Sequence, residues 1–187
     1  AKIDNNKIIS ASNDKTIRIW DIEEQKQTAL LKSQEEEIHT IAYIDDNRMV
    51  SASNDKTIRI WDIKKQKEIA ILKGHEGWIE SVACIDDNRI VSASWDKTVR
   101  VWDIKEQKEI AILKGHEDWV NSVIRIGQNR IASSSWDKTI RVWDIDKQKE
   151  IAFLIGHSDW INAIACIDDN RIVSASNDNI IIAWDID

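Results

Sequence analysis

The chain has 187 residues, enough for one domain with a buried core, and its 26 Lys plus Arg against 33 Asp plus Glu leave a net charge of -7. An acidic surface repels phosphate, which excludes a mainly electrostatic binder of nucleic acid or anionic membrane, and no apolar run is long enough to span a bilayer. Pro is absent and Gly numbers only 5, which excludes a linker-rich or disordered chain, while Trp is unusually frequent, ten against one Phe and one Tyr.

The predicted elements recur with a fixed period. Ala1 aligns with Ala42 and Ala83, so the chain opens inside a strand, and the opening residues do not read as a signal peptide. Trp-Asp pairs follow at Trp20-Asp21, Trp61-Asp62, Trp102-Asp103, Trp143-Asp144 and Trp184-Asp185, each 41 residues after the last. The text before them repeats too, as SASNDKTIRIWD, SASWDKTVRVWD or SSSWDKTIRVWD. A period of about 40 to 45 residues ending in Trp-Asp is a signature of four-stranded propeller blades.

One period, taken from Gly74, shows the parts. The segment GHEGW reads as a loop, and residues 78–85 form a first strand, a. Asp86-Asp87-Asn88 is a tight turn in which Asn suits a positive φ. Residues 89–95 form strand b, Asp96-Lys97 a second turn, and residues 98–104 strand c, rich in β-branched side chains. After KEQK, residues 109–113 form strand d. Strand c carries Val99 and Val101 on one face and Trp102 on the other. Bulky apolar groups on both faces require packing on both sides, as blades stacked between blades provide.

In these motifs the whole chain resembles the WD40-repeat family. The family's Gly-His stands at Gly74-His75, Gly115-His116 and Gly156-His157. The earlier copy departs, with Ser33-Gln34, and the family's Pro-containing a–b turn is replaced by Asp-Asp-Asn or by Gly127-Gln128-Asn129. The resemblance implies an all-β propeller of four-stranded antiparallel blades in a single array over 1–187. Blade 1 is partial (1–33), blades 2 to 4 cover 34–74, 75–115 and 116–156, and blade 5 (157–187) lacks its outer strand. Five full periods would need 205 residues, 18 more than are present, so about 4.5 blades and an incomplete or open ring are expected. Unpaired strand edges at both ends predict self-association.

The resemblance also implies a hydrogen-bonded set of His, Ser, Asp and Trp in each blade. His75, Ser92, Asp96 and Trp102 match it, as do His116, Ser133, Asp137 and Trp143, and His157, Ser174, Asp178 and Trp184. The second blade has Gln34, Ser51, Asp55 and Trp61 and is expected to be less stable. A Ser-His-Asp set invites a hydrolase reading. It recurs three times in register, however, and no G-x-S-x-G elbow is present, so a structural role and no enzymatic activity are expected. His39 lacks a repeat partner. Cys84 and Cys166 lie two periods apart, too far for the roughly 4.4 to 6.8 Å Cα spacing of a disulfide, and read as two buried thiols. Turns such as Asp45-Asp46-Asn47 lack calcium-ligand spacing, so neither metal nor cofactor is expected.

The five Trp outside the Trp-Asp pairs fall at two register positions. Trp78, Trp119 and Trp160 lie three residues after a Gly-His histidine or its equivalent, and Trp95 and Trp136 lie one before a turn Asp. In the propellers that the sequence resembles, both positions open on the face carrying the d–a and b–c loops, where partners usually bind. The predicted surface adds Glu80, Asn121, Asn162 and Asn177 to these five, with Glu76, Glu117, Asp118 and Asp159 around them, while the second blade contributes Glu37, His39 and Asn54. Indoles rimmed by carboxylates suit a basic or amphipathic protein segment, and the bland alternative packs each Trp over neighbouring loops. The expected function is a non-catalytic scaffold that binds a protein or peptide. A carbohydrate-binding propeller, or the sensor module of a larger signalling NTPase or kinase, are the alternatives. The chain itself holds no phosphate-binding or kinase motif, nucleic acid and membrane are not expected partners, and the cytoplasm is the default location.

Overall fold

A computed structural model describes residues 1, 6–32 and 35–186. Eighteen strands form five antiparallel sheets, and no helix occurs among the described residues. The first sheet is β1 (Lys7–Ala11), β2 (Thr16–Asp21) and β3 (Lys26–Lys32). The second is β4 (Ile38–Asp45), β5 (Arg48–Ser53), β6 (Thr57–Asp62) and β7 (Lys67–Lys73). The third is β8 (Ile79–Cys84), β9 (Arg89–Ser94), β10 (Thr98–Asp103) and β11 (Lys108–Lys114). The fourth is β12 (Val120–Ile126), β13 (Arg130–Ser135), β14 (Thr139–Asp144) and β15 (Lys149–Ile155). The fifth is β16 (Ile161–Asp168), β17 (Arg171–Ser176) and β18 (Ile181–Asp185). Every sheet runs in sequence order, and β1, β4, β8, β12 and β16 pack in succession, giving an unclosed, partial propeller of about 4.5 blades.

The core lies between sheets. Val99 and Val101 of β10 pack forward onto Ile131 and Trp143 of the fourth sheet. Trp102, on the opposite face of the same strand, packs back onto Val50, Ile58 and Ile60 of the second. Trp61, Trp102 and Trp143 are each at most 2 % exposed, so one joint is made repeatedly by the same residues. Each of these indoles sits at a register shift between strands c and d, such as Val101/Trp102, where the extra residue lies in strand d, as Ile110 does in the third sheet. In the fifth sheet the forward face is open. Ile181 is 72 % exposed, whereas its equivalent Ile140 is wholly buried.

Two local expectations are overturned. The positive φ does not fall on Asn88 or its equivalents; among the described residues of the a–b turns only Gly127 adopts it. It falls instead on Lys15, Lys56, Lys97 and Lys138 of the b–c turns, with Asn179 at the last equivalent position, and on Gln25, Gln66, Gln107 and Gln148 of the c–d turns. The b–c turn compensates for this strain with side-chain hydrogen bonds. Asp96 Oδ1 accepts from the Thr98 amide at 3.0 Å and hydroxyl at 2.6 Å, and the Lys97 amide donates to the Ser94 carbonyl. The cysteines are free but are not two buried thiols. Cys84 is half-buried, with burial pushing its thiol up to about 12, and Cys166 is exposed because no further sheet covers the face of β16.

Candidate functional site

Each repeat places a Ser at the middle of strand b and a Trp in the neighbouring strand c, two residues beyond the Ser's cross-strand partner, and the last three repeats add a His in the d–a loop. In the third sheet the His75 Nδ1 is 2.7 Å from Asp96 Oδ2, and its Nε2 is 2.6 Å from Ser92 Oγ. The Trp102 indole donates to the same Ser92 Oγ at 2.8 Å. The fourth sheet repeats this with His116, Asp137, Ser133 and Trp143, and the fifth with His157, Asp178, Ser174 and Trp184, all between 2.7 and 2.8 Å. In the second sheet Trp61 donates to Ser51 at 2.8 Å, and Gln34 lies outside the described residues.

The donors and acceptors run one way. Indole N–H gives to serine oxygen, serine O–H to His Nε2, and His Nδ1–H to the carboxylate, which assigns a neutral imidazole. Burial dominates at His75 and lowers its pKa even though Asp96 opposes that shift. Burial alone would raise Asp96. The hydrogen bonds from the His75 ring, the Thr98 hydroxyl and the Glu76 amide outweigh it and hold the carboxyl well below its usual range. Asp137 is lowered in the same way. Ser92 and Ser133 are completely buried and Ser174 nearly so, with each oxygen already engaged by an indole and an imidazole. A nucleophile needs an approach for its substrate, and these hydroxyls have none.

The other five indoles form a different feature. Trp78, Trp95, Trp119, Trp136 and Trp160 stack on one another in that order. Successive centroids lie 4.3, 3.7, 4.5 and 4.0 Å apart. The 3.7 and 4.0 Å steps join neighbouring sheets with rings within 5° of parallel, and the other two steps lie within a sheet and are tilted. The ladder is therefore both a surface and a tie between sheets. Trp95, Trp119 and Trp136 are half-buried with a ring neighbour on two sides, while the end rings Trp78 and Trp160 are 40 % and 39 % exposed. Asp118 and Asp159 accept the backbone amides of Trp119 and Trp160 at 2.8 Å and hold those loops.

The remaining predicted site residues come together along the inner margin. His39, Glu80, Asn121 and Asn162 are each the extra residue of a bulge between strands a and b, as between Ile79 and Ser81. A bulge re-aims a side chain that regular alternation would send to a sheet face. The Asn121 amide donates to the Asn162 carbonyl at 2.8 Å, and Asn162 donates to Asn177 at 2.6 Å. Glu80 lies 3.5 Å from His39 and accepts the Trp95 indole N–H; burial raises its pKa, opposed by those two neighbours. The sequence identified both ladder positions but not their mutual stacking, nor the bulges, for which it carries no signal.

The family model described as WD domain, G-beta repeat matches residues 3–21, 25–62, 66–103, 107–144 and 148–185, each match ending at a Trp-Asp pair and, after the first, running from the outer strand of one sheet through the first three strands of the next. The chain belongs to the WD40-repeat family. A comparison with curated proteins gave no match. The WD40 repeat accounts for the buried His-Ser-Asp-Trp sets and for the paired Trp-Asp positions. It does not account for five indoles at the loop positions, where the first two sheets carry Asn13, Glu37 and Asn54 instead.

Proposed function

We propose that this WD40 array is a non-catalytic scaffold whose indole face binds a protein or peptide segment. WD40 repeats are in general protein-interaction scaffolds. The observation that carries the finer reading is the ladder itself. It makes an apolar ridge on the side of the d–a and b–c loops, with Glu76, Glu117, Asp118 and Asp159 in those same loops. An apolar ridge rimmed by carboxylates suits a basic or amphipathic segment. Because the inner rings are already stacked, the partner meets ring edges along the ridge and open ring faces at Trp78 and Trp160.

The test is selection from a random-peptide display library, followed by affinity measurement on variants. Trp78→Ala and Trp160→Ala are expected to weaken binding about tenfold each while the circular-dichroism spectrum is retained. Binding to a glycan array with no peptide recovered would overturn the scaffold reading. We also propose that the open face of the fifth sheet self-associates, because Ile181, Ala183 and Ala165 leave there an apolar surface equivalent to the one the fourth sheet buries.

A further inference from the structure

Two of the four joints between sheets carry an indole stack and two do not, and the joint that keeps only one of its two rings shows where a part is missing. Between the third and fourth sheets, Trp95 of the b–c turn stacks on Trp119 of the next d–a loop. Between the fourth and fifth, Trp136 stacks on Trp160. Between the second and third, the receiving ring is present as Trp78, but the position of the arriving ring is held by Asn54. The backbone there is unchanged. The Asn54 amide donates to the Glu37 carbonyl at 3.1 Å, as that of Trp95 donates to Trp78 at 2.9 Å. A second tie is missing from this joint as well. Lys97 and Lys138 reach across to the carbonyls of Glu117 and Ser158 at 2.8 Å, whereas Lys56 makes no such bond. Trp78 is accordingly 40 % exposed, while Trp119 is half-buried.

What surrounds this open position is polar and acidic. Glu37 stands at the register position that Trp78 and Trp119 occupy in the following sheets. His39 bridges towards two carboxylates, 4.0 Å from Glu37 and 3.5 Å from Glu80. The Asn54 side-chain carbonyl oxygen is shut off from water and has no hydrogen-bond partner. A neutral aromatic group would cover Trp78 but bring no charge to the Glu37 and Glu80 carboxylates, which have only His39 between them, and an anion would be repelled. A guanidinium is planar, weakly hydrated, and presents five donors in its plane, so it can stack and satisfy carboxylates together.

We infer that the slot beside Trp78 receives an arginine side chain of the partner segment, stacked on the open indole face and donating to the Glu37 and Glu80 carboxylates. This rests on the reading of the indole face as a protein-binding face, and it names the chemistry of the residue that anchors the partner at one end of the ladder.

The probe is N-acetyl-arginine amide, titrated into the whole chain while the five loop indole N–H signals are followed by ¹⁵N NMR. A saturable shift at Trp78 is expected, absent with the citrulline analogue, which has the same shape and no charge. Glu37→Gln and Glu80→Gln are each expected to weaken binding about tenfold or more. Asn54→Trp, which supplies the missing ring, should abolish it without lowering the melting temperature. No saturable shift at Trp78, an equal shift from citrulline, or binding retained in folded Asn54→Trp would overturn the assignment. Library peptides that bind the face with no arginine would also overturn it while leaving the scaffold reading intact. Saturation by arginine amide with no peptide recovered would uphold the slot and remove the scaffold reading.

Discussion

Asp137 holds a histidine, a hydroxyl and two backbone amides at once, so its loss leaves several buried groups without partners. Asp137→Ala is expected to cost about 1 to 3 kcal/mol in urea unfolding, and an unchanged midpoint would count against the network. The same groups set a pH dependence. His75 binds its proton less tightly folded than unfolded, where the value is 6.5, so its contribution is full above that pH and falls as acid is added. Asp96 is depressed below 3.8, so its contribution is present above that value and is lost at still lower pH. Stability should be level above about pH 7, decline below about 6.5 until His75 is protonated in the folded chain, and decline again below 3.8; a rise between pH 7 and 5 would contradict the neutral-imidazole assignment. The members of these sets were legible in the sequence because each keeps one register position through the three repeats that carry the full set. The φ values were not. Lys97 and Gln107 are poor residues for positive φ on intrinsic grounds, and only side-chain hydrogen bonds such as those of Asp96 make the turn tolerable.

At the scale of elements, the joints differ although the strands are nearly the same. Trp119 touches rings on both sides across two sheets, so Trp119→Ala should destabilise the chain, by about 0.5 to 1.5 kcal/mol for each ring contact beyond the area lost. This separates it from Trp78 and Trp160, whose truncation should affect binding more than folding. The second sheet has Gln34 in place of a Gly-His histidine, and its joint to the third has no ring-on-ring stack. Its amides are therefore expected to exchange faster than those of the third and fourth sheets in native-state hydrogen exchange. The sequence shows that Trp95 and Trp119 occupy repeating positions. That they stack depends on the angle between sheets, which no local pattern encodes. The bulges at Glu80 and Asn121 are hidden likewise, because an extra residue in one strand is visible only once its partner is paired.

For the molecule as a whole, the length arithmetic anticipated four and a half blades and an open ring, and the five sheets have that arrangement. The fifth sheet presents Ile181 and Ala183 outward, and the first presents Ile8 at 40 % exposure beside a half-buried Trp20. These are the two sides of the joint that the chain builds internally four times, so a second copy can supply to each what it lacks. Sedimentation should show concentration-dependent assembly that Ile181→Asp weakens, and a monomer at every concentration would contradict self-association. The central claim, that a partner lies along the indole ladder, is tested most directly by NMR mapping of a library-selected peptide on the ¹⁵N-labelled chain. Shifts should centre on the indoles of Trp78, Trp95, Trp119, Trp136 and Trp160 and on the loops that carry them. Shifts confined to the a–b and c–d turns, or to the outer strands β7, β11 and β15, would contradict it.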